Sequence, residues 1–509
     1  MVAQEPQRNS PTPRHTWLFS RPLMELPTSL VPRVVLGRRS ILRRCRTSKT
    51  TATHDDVDRH DDAPTEQRRR RDTSDDTLVV HAGERRCAAL VIGGGGGVVA
   101  AETTDSIATP IVTGTVHWFR DSADLVAFRE GRCLRRRHSF EYGRYGNPTV
   151  KVLEDKISAM ERAEATIVTS SGMNAIIATL LAVVSPGGHV VATTDCYSEA
   201  RAFIRDRLPK MGIRSTFVDL DDMEALKSVL DHQGNVRDRS EPQTVHKMLE
   251  LRVFLISNEN MRMQVTMFYA DSPTNPHLKC VDVRRVAELC HQRGALVCID
   301  STMASPINQK PLTLGADVVL HSVTKYIAGH HDVIAGCISG SEAIISRIRV
   351  WHHDLGGTIS PNAAYMIIRG LKTMALRVQT QNRTALRMAQ LLESHPKIER
   401  VNYPWLESSP WHGIARRQMT GAGGVISFEV ASDMCGVMRF VDKLELPFIA
   451  TSLGGCESLV QQPAIMSYWG KSDAEKAETG IKDKLVRFSF GIEKFEDLKD
   501  DILQALETI

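Results

Sequence analysis

Between Pro148 and Gly340 short apolar runs alternate with amphipathic stretches. The runs are ATIVTS, HVVATT, VTMFYA, ALVCID, DVVLHS and VIAGCIS, and DVRRVAELCHQRG is typical of the segments between them. Runs that are apolar at nearly every position suit strands buried on both faces. Their alternation with helical periodicity predicts a mostly parallel sheet with helices on both sides, an α/β doubly wound fold. In such a sheet ligands gather at the C-terminal ends of the strands, so polar residues that close these runs carry the most functional weight. Globular patterning begins near Thr77 with the run TLVVHAGE.

The chain before Thr77 is different. From Met1 to His54 ten Arg or Lys stand against two acids, Glu5 and Glu25, amid many Ser, Thr and Pro, the composition of an organelle transit peptide. Asp55 to Asp76 mixes acidic pairs with the basic run Arg68 to Arg71 and has almost no apolar residues, so 1–76 is expected to be a transit peptide and disordered leader. Three other stretches interrupt the pattern. Gly93 to Gly97 lacks the G-x-G-x-x-G spacing of a dinucleotide loop and suits a flexible surface insertion. CLRRR precedes HSFEYG, and His232 to Met263 forms a long excursion between two regular elements. Each is expected to be a surface loop or a wrongly joined coding segment.

Composition narrows the classes. A chain of 509 residues with 42% apolar residues is long enough for two or three domains, and a net charge of +4 marks no nucleic-acid-binding protein as a whole. The basic leader alone leaves RNA binding open as a minor alternative. Ten cysteines without a C-x-x-C pair disfavour a zinc ribbon or a disulfide framework and favour free thiols. His330 and His331 are adjacent and so point in different directions, with no third ligand evident; no metal site is expected. No run of about 18 apolar residues occurs, so no membrane span is expected.

Four strand ends carry chemistry. After VTS, Ser171, Gly172 and Met173 open an apolar helix, where free N–H groups and the helix dipole make an anion site; Ser and Gly are also ordinary capping residues. ALVCID ends in Asp300, followed by Ser301 and Thr302, and a buried strand-end acid needs a cationic partner unless it merely caps the next turn. DVVLHSVTKYIAG places Lys325 four residues after His321, with hydroxyls at Ser322 and Thr324. A desolvated lysine there is a nucleophile able to form an imine, whereas a solvated one would simply open a loop. FYADSPTNPH holds Asn275 between prolines, a rigidly presented amide or a simple turn. Jointly, an anion-binding helix start, a strand-end acid and an imine-capable lysine meet the needs of pyridoxal 5'-phosphate: donors for its phosphate, a carboxylate for its pyridine nitrogen, an amine for its aldehyde.

The words FEYGRYGNPT, SSGMNA, DCYSEARAFI, DSPTNP, CIDSTMASPINQ, HSVTKYIAGHHDVIAGCISG, TSLGGCESLVQQPAIMSYW and LVRFSFGIE run in order from Val79 to the C-terminus. In them the chain resembles the Cys/Met-metabolism family of fold-type I, aminotransferase-like pyridoxal phosphate enzymes, and within it the γ-replacement synthases of plants. The resemblance implies a large cofactor-binding domain at 151–360, a smaller C-terminal α/β domain at 361–509, and an N-terminal arm at 77–150 that contacts a neighbouring subunit. It implies that Lys325 binds the cofactor aldehyde and moves protons, Asp300 pairs with the pyridinium, Tyr197 stacks on the ring and Asn275 bonds the phenolic oxygen. Gly172, Met173, Ser322 and Thr324 would hold the phosphate, with Thr302 also in the cofactor set, and Tyr142 and Arg144 would reach the phosphate of the neighbouring subunit. Arg487 would clamp the substrate carboxylate, a task suited to a bidentate fork. Ser452 joins it in the substrate set, Glu457 serves γ-replacement, and Arg201 helps hold an anionic leaving group.

The activity implied is the joining of L-cysteine to an activated homoserine ester, O-phosphohomoserine in plants, to give cystathionine for methionine. An obligatory dimer, a tetramer as the full assembly, and a plastid address rather than a mitochondrial one follow from the same resemblance. Lyases acting on cystathionine or methionine use nearly the same residues. An inactive homologue is the other alternative, suggested by the interruptions and by Met303, where the family usually has a bulkier aromatic.

Overall fold

The computed structural model describes residues 74–81, 107–131, 140–231 and 265–509. The leader before Ser74, the glycine run, CLRRR and the excursion of 232–263 lie outside the described residues. A helix, α1 (Asp75–His81), opens the described chain and buries Leu78 and Val79. Composition places Asp75 and Asp76 at the end of a disordered leader; they instead form the first turn of this helix. Acids are favourable at a helix N-terminus, and Asp75 also pairs with Arg162 (3.3 Å) and Lys310 (2.9 Å).

Seven strands form the larger sheet: β1 (Ala165–Thr169), β2 (His189–Thr193), β3 (Arg214–Val218), β4 (Met267–Asp271), β5 (Leu296–Asp300), β6 (Val318–His321) and β7 (Gly336–Gly340). Their order is β1-β7-β6-β5-β4-β2-β3, and all neighbours are parallel except β7, which runs antiparallel to both β1 and β6. Six of these strands are the apolar runs of the sequence. The seventh, β3, reads RSTFV and sits at the sheet edge half-exposed, so it lacks the continuous apolar signature of a strand covered on both faces.

Alternate residues of each strand go to opposite faces, as the pleat requires. Val190, Ala192, Met267, Tyr269 and Cys298 pack with the helices Gly172–Val183 and Glu342–Leu355. Val191, Phe268, Ala270, Val297 and Ile299 pack with the helices Met223–Asp231 and Val283–His291. The doubly wound layering thus follows directly from strands apolar at every position. Asp271 and Asp300, two residues beyond Tyr269 and Cys298, fall on the side of the Gly172 helix.

The second sheet has five strands, β8 (Ile398–Asn402), β9 (Val425–Val430), β10 (Phe448–Ile449), β11 (Leu459–Gln461) and β12 (Leu485–Ser489), in the order β10-β11-β12-β9-β8. It is antiparallel except for the β10–β11 pair. Phe428, Phe440, Phe488 and Phe490 fill its core against the helices Met374–Glu393, Met434–Lys443 and Phe495–Leu506. Phe488 and Phe490 stack at 4.4 Å, a preferred aromatic separation. This core continues without a break to Tyr326, Ile327 and Ala328, so the turn after β6 is packed against the second sheet's layer. Among the described residues no helix is long and apolar enough to cross a membrane.

Candidate active site

Adjacent parallel strands β4 and β5 end in register, Asp271 beside Asp300. Both carboxyls are buried, and Asp300 is 9% exposed. Burial pushes both above the usual carboxylate range, Asp271 further because the charge of Asp300 adds to it. Asp300 Oδ1 accepts from the Thr302 N–H at 3.0 Å, and Thr302 Oγ1 accepts from the Ser322 N–H at 2.7 Å, which ties the end of β5 to the end of β6. Asp271 Oδ2 accepts from the Tyr197 N–H at 2.9 Å, while its Oδ1 has no hydrogen-bond partner among the described residues. Among the described residues neither acid has an ion-paired cation.

The helix Gly172–Val183 begins immediately beside this edge. Ser171 caps it, its Oγ accepting from the Asn174 N–H at 3.1 Å, so the helix start leaves the N–H groups of Gly172 and Met173 for a ligand. Glycine is needed there by close approach: a Cβ on Gly172 would lie 3.0 Å from Ser322 Cβ. Thr324, in contrast, is engaged at both ends of its hydroxyl, donating to Ala335 O and accepting from Ala335 N, each at 3.1 Å.

Lys325 follows in the same turn and is largely buried. Burial and the nearby Arg487 pull its amine down to about 8. Its Nζ donates to Ser452 Oγ at 2.9 Å. Arg487 stands in the middle of β12, 5% exposed, with its own ionisation pulled down to about 10 by burial. Its Nη1 donates to Asn275 Oδ1 at 3.2 Å and its Nη2 to Ser452 O at 2.5 Å. With the Gln461 amide oxygen turned inward, Gln461 accepts from Nη1 and Nε at 3.3 Å. Lys325, Ser452, Arg487 and Asn275 therefore form one continuous hydrogen-bonded group drawn from four distant chain segments. Its two cations face no ion-paired acid among the described residues.

The remaining candidates lie around that group. Tyr197, 38% exposed, precedes the helix Ser198–Asp206 beside Asp271; burial pushes its hydroxyl up. Glu457 is half-exposed, 3.7 Å from His331 Nε2, and lines a cavity of about 700 Å³ with Thr324, Ser452 and Phe448. Arg201 turns its Nη1 to Thr194 O at 2.9 Å. Tyr142 and Arg144 are held elsewhere: Arg144 Nη1 donates to His353 O at 3.0 Å and its guanidinium lies over the Tyr145 ring at 4.8 Å. None of their described contacts reaches Lys325. His330 Nδ1 bonds Ala328 O at 2.6 Å and His331 Nε2 lies 3.7 Å from Glu457; the described residues contain no cluster able to hold a metal ion.

Sequence reasoning missed Asp271, whose signal, the closing acid of the run FYAD, was present but outweighed by the turn that follows. It also missed Arg377 and Gln381, which sit inside a long helix with no local cue.

Two observations show that these residues fit pyridoxal 5'-phosphate. The buried Asp300 lacks a cation that a protonated pyridine nitrogen would supply, and the desolvated Lys325 amine is close to the neutral form an aldehyde requires. The free N–H groups at the start of the Gly172 helix suit its phosphate. Fold and site together define a pyridoxal phosphate-dependent enzyme of fold-type I. The chain belongs to the Cys/Met metabolism family of PLP-dependent enzymes, whose model matches residues 96–236 and 246–507. It is 54% identical to chloroplastic cystathionine gamma-synthase 1 of Nicotiana tabacum over 80% of this chain and 69% of the relative. It is 39% identical to the L-methionine gamma-lyase of Fusobacterium nucleatum subsp. polymorphum over 72% of this chain and 86% of that one. Among solved structures it resembles cystathionine gamma synthase of Xanthomonas oryzae pv. oryzae in complex with cystathionine, with a TM-score of 0.71, 31% identity, and coverage of 86% of this chain and 98% of that one.

Proposed function

We propose that this enzyme joins L-cysteine to an activated homoserine ester, O-phospho-L-homoserine, by γ-replacement, forming L-cystathionine for methionine biosynthesis. The carrying observation is the Lys325 amine, desolvated and held at 2.9 Å from Ser452 Oγ beside an arginine that has no acid partner among the described residues. The fall in identity from 54% to a synthase to 39% to a γ-lyase supports synthesis over cleavage.

Bound pyridoxal phosphate supplies an electron sink for the charge left when protons leave the substrate's α and β carbons. Arg487 binds the substrate α-carboxylate with its fork, aimed by Asn275 Oδ1 and Ser452 O. Lys325 Nζ accepts the departing proton and returns it later, with Ser452 Oγ fixing where the amine waits. Asp300 would keep a proton on the cofactor nitrogen, Tyr197 would cover the ring, and Gly172, Met173, Ser322 and Thr324 would hold the phosphate, with Thr302 tying Asp300 to Ser322 in the cofactor set. Glu457, in the same cavity wall as Ser452, serves the γ end of the substrate, and Arg201 the leaving phosphate. Tyr142 and Arg144 serve a second copy of the chain, which makes a dimer the smallest active form and a tetramer the full assembly. Residues 361–509 act as the smaller domain packed over the cofactor held by the large one at 151–360, and the basic leader directs the protein to the plastid stroma.

The test is incubation of purified protein and cofactor with L-cysteine and O-phospho-L-homoserine. Stoichiometric cystathionine and inorganic phosphate are expected. Release of a 2-oxo acid and ammonia from cystathionine, with no synthesis, would reassign the enzyme as a lyase.

A further inference from the structure

We propose that Arg377 and Gln381, one turn apart on the helix Met374–Glu393, are positioning residues that set the register between the Lys325 turn and the Ser452 loop, and so make the hydrogen bond between them. The inference rests on the roles assigned above to Lys325 and Ser452.

Residues four apart on a helix share a face, and both of these side chains are buried. Arg377 holds the lysine turn. Its Nη1 donates to Tyr326 O at 3.0 Å, its Nη2 to Gly370 O at 2.8 Å and its Nε to Thr373 Oγ1 at 3.1 Å. Every partner is neutral, so a charge is buried only for geometry. Burying a guanidinium this way is costly, and an apolar side chain would fill the same space more cheaply. The turn is shaped around it: a Cβ on Gly329, at φ +72°, would lie 1.9 Å from Arg377 Nη1. The Gly329 N–H donates back to Lys325 O at 2.8 Å, closing the turn on the lysine itself.

Gln381 holds the other loop. Its Nε2 donates to Gly455 O at 2.7 Å, three residues from Ser452. Ser452 sits at φ +83°, a conformation that side-chain-bearing residues rarely keep without outside support. Between the two anchors the loops touch closely, since a Cβ on Gly454 would lie 2.9 Å from Tyr326 N. A rigid helix thus grips both loops by their carbonyls and leaves their side chains, Lys325 and Ser452, to meet beyond the grip. Lysine has a flexible four-carbon stem, so its amine is localised only if Ser452 is.

The test uses the holoenzyme and a double-mutant cycle. Gln381→Leu is expected to lower kcat about tenfold, since small misplacements of positioned groups cost up to about a hundredfold. KM for cysteine should change by less than about twofold, as uniform binding is untouched. The pH midpoint for reductive alkylation of Lys325 in cofactor-free protein, where the amine is free to bond Ser452, should move, while the melting temperature stays within about 5 °C. In a Ser452→Ala background Gln381→Leu should add less than about twofold, because the bond it positions is already gone. Arg377→Lys, a point charge that cannot span both carbonyls, should act in the same sense. If Gln381→Leu does not fold, Gln381→Glu keeps the length, loses the donor and carries the same test. Additive losses in the double variant, or an unmoved midpoint and kcat in Gln381→Leu, would overturn the inference. A wild type that makes no cystathionine but shows the coupled midpoint would sink the γ-replacement reading and leave the clamp standing.

Discussion

The two sheets contribute to the site in different ways. The seven-stranded sheet presents its groups at strand ends: Asp271, Asp300 and Lys325 follow or close β4, β5 and β6. The five-stranded sheet and its loops present Arg487 from mid-strand and Ser452 and Glu457 from the loop after β10. In the function proposed above, the first set lines the cofactor and moves protons, and the second recognises what enters. On that reading the reaction chemistry sits where strand ends leave free donors and acceptors, whereas the carboxylate-binding Arg487 sits where two neighbouring ladders immobilise it.

Variants on either side should separate into losses of kcat and losses of binding. Lys325→Ala is expected to be the most severe, lowering kcat by at least about 10³-fold with the circular dichroism spectrum unchanged. Near-normal synthesis in that variant would remove Lys325 from the chemistry. Asp300→Asn should lower kcat on the order of a hundredfold with little change in KM, because the buried edge then offers no charge to hold a pyridinium. Arg487→Lys should raise KM for the homoserine ester about ten- to a hundredfold and leave kcat within a few-fold, since a point charge replaces a bidentate fork. An unchanged KM would take Arg487 out of the substrate site.

Smaller effects follow from titration and exposure. In cofactor-free protein the Lys325 amine, held near 8 by burial and Arg487, is charged below that pH and neutral above it. Its reductive alkylation should therefore quicken about tenfold per unit up to pH 8 and then level off. A midpoint near the ordinary lysine value would contradict the desolvated site. The sign for stability is the same: the unfolded chain holds this proton more tightly, so the protein gains stability as pH rises from about 8 toward 10.5. Glu457→Gln should cost less than about tenfold in γ-replacement, because among the described residues the half-exposed carboxylate has only His331, at 3.7 Å, as an ion partner.

Legibility in the sequence followed burial. Six strands of the large sheet were visible because residues apolar at every position can only be doubly covered, and β3 was not, because an edge strand needs no such pattern. Asp300 and Lys325 stood out as polar residues closing apolar runs. Arg487 did not, since LVRFS is buried throughout and an arginine inside it has no local explanation; only the family resemblance pointed to it. Ser452, Arg377 and Gln381 acquire meaning from contacts spanning 51 to 127 residues, which no local period encodes. Asp75 and Asp76 misled in the opposite direction, because a helix N-terminus and an acidic tail share a composition.

Arg487 is flanked on β12 by Gln461 of β11 and Ser427 of β9, so its backbone is pinned from both sides. A change of substrate in the course of evolution could not proceed by re-aiming this arginine without unzipping two ladders. It would have to begin in the cavity wall, where Phe448 and Glu457 can be exchanged one at a time while the proposed grip of Arg487 on the amino-acid end stays constant. The architecture thereby separates what descendants of this chain must inherit from what they are free to revise.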